Sequence, residues 1–382
     1  MKPYEIINCL LQSILSEEYP AECEHLIFHT EPRHEYINGK DNQLQSKFQF
    51  DEKHYYDYYN KKWRDFIDNN SLLQHAINYR IMPHFIDHSF EPINVDLDKE
   101  YWDPKNKQQR IWPNSLGGTR NKIYKDFLPK DYPLMVLHSE HNSKDIEQIE
   151  AWTYKTIHWF SHAYLCSEYY FKLYNNLEIV TNYTARPINH AWICANRLLR
   201  KHRTDFLEML DLERGCYSLA NPDPNGIIYN GPVAARSFDD HTNSSAEICV
   251  TKLTPWNTSF LHVVSETIWQ DKIHFTEKVF KPIVLHQPFV VLQAPGSLAY
   301  LRSYGFKTFG NWWDESYDTI EDPTARMQAI ADIVNSIGTK SLEELETMRM
   351  EMASVLENNF RHFYENIPAI CLDELRKGIA NL

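Results

Sequence analysis

Phe260-Leu261-His262-Val263-Val264, then Ser265-Glu266-Thr267, then Phe275-Thr276-Glu277-Lys278-Val279-Phe280-Lys281-Pro282, then Gln287-Pro288-Phe289-Val290-Val291-Leu292: this stretch decides the fold. The first run is apolar and short, bounded by polar residues, which predicts a buried strand. Its exit loop carries an acid, Glu266. Thr276 is a good N-cap residue, and an apolar-periodic run follows it, so a helix is expected over 276–285. Phe289–Leu292 then reads as the next strand. A strand, a helix and a strand at this spacing form a parallel βαβ unit.

The same alternation extends outward. His190-Ala191-Trp192-Ile193-Cys194-Ala195 predicts a strand, and Leu198–Leu210 a basic helix after it. Ser297–Tyr304, 324–336 and most of 341–376 read as helical. Upstream, Leu134-Met135-Val136-Leu137-His138 follows Pro133 and predicts a strand. A long helix is expected over about 143–160, with strands near Ala163–Cys166 and Leu177–Val180. Residues 1–130 are polar, aromatic-rich and irregular. Helices at 4–17 and 59–78 and a short strand at Leu26–His29 are expected there. With 382 residues, two domains are expected. They are placed at 1–180 and 188–360, with 361–382 as a C-terminal helix that could cross back to the first.

Composition excludes several classes. Eleven glycines and the absence of GxGxxG and GxxxxGK[ST] remove the glycine-rich nucleotide fingerprints. The seven cysteines are scattered, without CxxC, so neither a disulfide framework nor a zinc knuckle is expected. No apolar run approaches 18 residues and the N-terminus lacks an apolar signal core, which predicts a cytoplasmic protein with no membrane span. The formal net charge of −13 opposes general binding to nucleic-acid phosphates.

Ligands of open α/β sheets bind beyond the carboxyl ends of the strands. A helix N-terminus there offers unpaired N–H groups to phosphate, and Lys278 adds a point charge. Glu277 can accept from ribose hydroxyls. The alternative is a capped surface helix whose Glu277 and Lys278 are merely solvated.

The pattern SE…FTEKVFKPI…QPFVV…PGSLAYLRSYGFKTF resembles the donor-binding half of the α1,3-fucosyltransferase-like glycosyltransferases, and also poorly characterised bacterial and phage glycosyltransferases. The resemblance covers roughly 188–320, and Phe275, Thr276, Glu277 and Lys278 occupy its [YF]-x-[ST]-E-K motif when the aromatic stands directly before Thr276. It implies a GT-B fold of two Rossmann-like domains facing a cleft. It also implies inverting transfer from a nucleotide-sugar, with a GDP-linked donor among those it allows, to a hydroxyl acceptor, a glycan or a small molecule. Donor contacts are implied at Glu266, Phe275, Thr276, Glu277 and Lys278. The strand and basic turn at Trp192–Arg203 match the opening of the donor domain, where an arginine holds the diphosphate; Arg197 is the first choice and Arg203 the second.

Transfer needs a base for the acceptor hydroxyl. Two strand-end acids qualify, Glu140 and Glu31, with Glu140 preferred because its strand is the stronger. His138 and His141 are candidate acceptor contacts. No metal or other cofactor is expected. The i, i+4 pairs His84/His88 and His158/His162 lack an HExxH context, and Asp96-Leu97-Asp98 lies away from a clear strand end. Lys105, Lys107, Arg110, Arg120, Lys122, Lys125 and Lys130, interleaved with Trp102, Trp112 and Tyr124, keep open a DNA acceptor with hydroxymethylated bases. A catalytically silent sugar-binding protein of the same fold is the other alternative.

Overall fold

The computed structural model describes residues 134–151, 155–176, 178–223, 228–236, 238 and 254–381, together with Leu10, Leu11, Ile14 and four strands nearer the N-terminus. Those strands are β1 (Leu26–Phe28), β2 (Phe85–His88), β3 (Glu100–Asp103) and β4 (Gln108–Ile111). β5 (Leu134–His138), α1 (Lys144–Ala151), β6 (Lys155–His158) and α2 (Ser161–Leu165) follow. β1, β2, β5 and β6 make a parallel sheet in that order. β3 and β4 pair separately as an antiparallel hairpin. The expected helix at 59–78 lies outside the described residues.

A second parallel sheet is built from β7 (His190–Asn196), β8 (Gly215–Leu219), β9 (Ser259–Ser265) and β10 (Phe289–Leu292), in the order β10-β9-β7-β8. Every residue of β9 and β10 is buried. That is the signature of parallel strands covered on both faces. The helices that cover them are α3 (Lys201–Glu208), α4 (Glu277–Val284), α5 (Ser297–Ser303) and α6 (Pro323–Gly338). The chain is thus a mixed α/β protein with parallel sheets flanked by helices. The strand order places β8 on one side of β7 and β9 on the other. The sheet therefore has a topological switch point between the ends of β7 and β9.

Three expectations around residues 143–181 are corrected. The helix expected over 143–160 stops at Ala151, and Lys155–His158 is a strand. It is a strand because β5 offers a free ladder: Met135 to His138 pair with Lys155 to His158. The strand expected near 163–166 is instead helix α2 and a following π turn, and that expected near 177–180 is a short helix, Glu178–Thr181. Both were short apolar runs, whose periodicity does not separate strand from buried helix. The helix expected from Leu198 begins at Lys201, because Arg200 is extended at its N-cap.

Three helices end the chain, α7 (Leu342–Glu351), α8 (Ala353–Glu365) and α9 (Ile367–Ala380). α7 opens on a capping box between Ser341 and Glu344. α9 lies against the first sheet. A Cβ on Gly378 would stand 2.3 Å from Ile157 Cγ2, so only glycine permits this approach. Glu374 of α9 accepts from the Phe160 N–H at 2.8 Å, and the Cys371 thiol from the same helix donates to the Phe160 carbonyl.

Among the described residues, no helix is long and apolar enough to cross a membrane.

Candidate functional site

The exits of β5 and β9 meet. His141, three residues beyond β5, exchanges two backbone hydrogen bonds of 2.9 Å with Ile273, in the loop after β9. Beside this bridge, Lys272 places its ammonium 3.0 Å from the Glu140 carboxylate and 2.7 Å from Asp145 at the start of α1. The Ser143 hydroxyl also donates to Glu140, at 2.5 Å. Glu140 is 3% exposed. A carboxylate so deeply buried needs a counter-charge and hydrogen bonds, and Lys272 and Ser143 supply both. Its backbone N–H donates to His138 Nδ1 at 3.2 Å. A cation and a hydroxyl thus stand against the Glu140 carboxylate.

Lys272→Met tests this ion cluster. Removing one partner of a buried pair leaves uncompensated charge, here two carboxylates. The variant is expected to lose about 3–5 kcal/mol of stability at neutral pH. Denaturant titrations of both proteins at pH 7 measure it, and equal stability there would exclude the assignment.

The loop between β9 and α4 is stapled at its base. Glu266, fully buried at its start, accepts from the Thr276 backbone N–H at 3.1 Å and from the Thr276 hydroxyl at 2.7 Å. Burial pushes the Glu266 carboxyl above its ordinary range, against the pull of Lys278. Because Thr276 turns its hydroxyl to Glu266, it does not cap α4, whose first turn has no side-chain cap. Lys278 lies over this terminus, donating to the Thr276 hydroxyl at 2.8 Å and to Glu277 at 3.1 Å. Lys278 and Glu277 are partly exposed. An uncapped helix N-terminus with an ammonium beside it suits an anion.

The remaining candidates separate. Arg197 directly follows β7 and is exposed at the switch point. Arg203 is buried and gives its two terminal nitrogens to backbone carbonyls: Leu198 at 3.2 Å, Ser265 at 3.1 Å and Glu266 at 3.2 Å. It joins α3 to the end of β9, so Arg197 is the arginine left facing outward. Phe275 is fully buried and stacks near Tyr300 with ring centroids 6.0 Å apart. It positions Thr276 by filling the core. Glu266 likewise acts through Thr276. Glu31, Asp96 and Asp98 lie outside the described residues, as does the basic segment apart from the β3–β4 hairpin.

Several residues at the junction carried no sequence signal. His158 ends β6, with Nδ1 2.9 Å from Glu374 and Nε2 2.8 Å from the Tyr300 hydroxyl. The His158/His162 spacing therefore straddles a strand end and a helix start, not one helix face, and His158 is committed to other partners. His88 ends β2, so the His84/His88 spacing does not fall on a helix either. The His162 ring meets His274 edge-on at 5.1 Å, and His274 Nδ1 is 3.4 Å from the Ser139 hydroxyl. α2 packs against α4, and burial holds His162 down at about 4, with Glu277 raising it and Lys278 lowering it. His141 stacks on Tyr300 at 4.6 Å, and His138 meets His158 edge-on at 5.4 Å. Among the described residues, no group of three His, Cys, Asp or Glu side chains could hold a metal ion.

Comparison with models of protein families and with curated proteins finds no match to this chain.

Proposed function

We propose that the protein is a glycosyltransferase of GT-B arrangement that moves a sugar from a nucleoside diphosphate to a hydroxyl acceptor with inversion. Residues 188–360 bind the donor and residues 1–180 the acceptor, in the cytoplasm. The observation that carries this reading is the meeting of two parallel-sheet edges. There an acid, Glu140, and an uncapped helix N-terminus with Lys278 share one junction. Strand-end junctions of this kind are where open α/β sheets hold ligands.

In the proposed reaction the acceptor hydroxyl oxygen attacks the anomeric carbon. Its proton passes to Glu140, and the bond to the diphosphate breaks. The leaving diphosphate gains negative charge, which the N–H groups of α4, Lys278 and Arg197 stabilise. Glu277 accepts from the donor's hydroxyls. His138 and His141 flank Glu140 on the acceptor side.

Thermal-shift measurements against GDP, UDP, ADP and CMP test the donor class, since a ligand that binds only the folded state raises the melting temperature. One of these nucleotides should stabilise the protein. Lys278→Ala should then weaken its binding by about 1.5–3 kcal/mol, the range for a hydrogen bond to a charged group. Calorimetry reads the difference, and an unchanged affinity would remove Lys278 from the site.

A further inference from the structure

The ends of β7 and β9 leave three polar atoms without a use in the fold. Asn196, the last residue of β7, is 1% exposed, and Ser265, the last of β9, is 4% exposed. Among the described residues, Asn196 Oδ1 and Ser265 Oγ have no hydrogen-bond partner. The register pairs Cys194 with Val263, which sets Asn196 beside Ser265 two residues further along both strands. Asn196 Nδ2 donates to Cys194 Sγ at 3.3 Å, so it is the carbonyl oxygen that is left over. The third atom is Nε of Arg203, which has no partner either, although the same guanidinium donates to the Ser265 carbonyl.

Orphaned buried polar atoms are costly, so folded proteins rarely keep them without a reason. These three sit together at the topological switch point of the second sheet, beside the uncapped terminus of α4. Their chemistry is selective. Asn196 Oδ1 only accepts, Arg203 Nε only donates, and Ser265 Oγ does either. A phosphate oxygen would face the Asn196 carbonyl acceptor to acceptor. A hydroxyl satisfies the set, donating to Asn196 and accepting from Arg203 and Ser265.

We infer that Asn196, Ser265 and Arg203 form a hydroxyl-reading subsite of the donor pocket, which takes a sugar hydroxyl of the nucleotide-sugar. This rests on the glycosyltransferase reading above. The subsite selects the donor by its hydroxyls, while Lys278 and α4 hold its phosphates. Two hydroxyl sources share this chemistry, the ribose and the transferred hexose.

Calorimetry separates them with the nucleoside diphosphate that stabilises the wild-type protein. One comparison sets it against its 2′,3′-dideoxy form, the other against its sugar conjugate. The wild type should lose about tenfold in affinity when the hydroxyl that fills the subsite is missing, in one of the two comparisons. Ser265→Ala and Asn196→Ala should erase that difference, whereas Lys278→Ala should weaken all ligands alike. Ser265→Ala deletes an atom with no partner in the fold, so its unliganded melting temperature should equal or exceed that of the wild type while binding falls. That combination separates a ligand contact from a folding contact. Discrimination that persists in both variants overturns the inference. So does a lower melting temperature in Ser265→Ala with unchanged affinity, the mark of a structural water held by the same atoms. If none of the nucleotides binds the wild type, the donor reading fails and the subsite fails with it.

Discussion

Glu140→Gln is expected to lower turnover by about 10²–10⁴-fold, the range for loss of a general base, while nucleotide affinity stays unchanged. The split follows from position. Glu140 belongs to the exit of β5, whereas the groups proposed to hold the phosphates belong to α4 and the end of β7. Glutamine keeps the shape and can still accept from Ser143, but it cannot take up the acceptor's proton. Asp145 remains 2.7 Å from Lys272, so the ammonium keeps a counter-ion and the fold survives the change. Release of nucleoside diphosphate from the nucleotide-sugar reads turnover, and calorimetry reads binding. Full turnover in Glu140→Gln would transfer the role to Glu31, where the same substitution decides. Equal loss of binding and turnover would instead make Glu140 a structural anchor of the junction.

Mild acid is expected to unfold the protein. Burial holds His138, His262 and His286 down at about 3 and His162 at about 4. An unfolded histidine titrates near 6.5. Below that pH the unfolded chain binds protons that the folded chain refuses, so stability falls as the pH falls. The loss begins at about 6.5 and continues towards the folded values. By pH 5 each of these histidines withdraws about 2 kcal/mol. Four of them approach the whole stability of a typical domain, about 5–15 kcal/mol. Their surroundings add to the burial: His158 and Lys272 repel a charged His138, Lys281 a charged His262, and Arg186 a charged His286. Thermal melts from pH 7.5 to 4.5 should show the midpoint dropping steeply below about 6.5. A flat profile down to pH 5 would mean that these rings can be charged inside the fold.

In the second sheet, continuous apolar runs at His190–Ala195, Phe260–Val264 and Phe289–Leu292 read as strands and Thr276 as the start of α4, whereas β8, Gly215–Leu219, is of mixed polarity and is not legible in the sequence. The sequence also placed Glu140 beyond the end of a strand, and Glu277 and Lys278 in the first turn of a helix. These features are local: an apolar run, a cap residue and an acid just beyond a strand are written in neighbouring residues. Lys155–His158 was not legible, because four residues of mixed polarity become a strand only when β5 offers them a ladder. Nor was Glu374, which reaches His158 across 216 positions of chain. Lys272 gave no sign of its place between Glu140 and Asp145, more than 120 residues away, nor Arg203 of the three backbone carbonyls that its two terminal nitrogens hold. Pairings of this kind are created by chain crossings between sheets, and the energy of a buried charge depends on what surrounds it in space. Which polar residues hold the junction together was therefore decided in the tertiary structure, not in the local sequence.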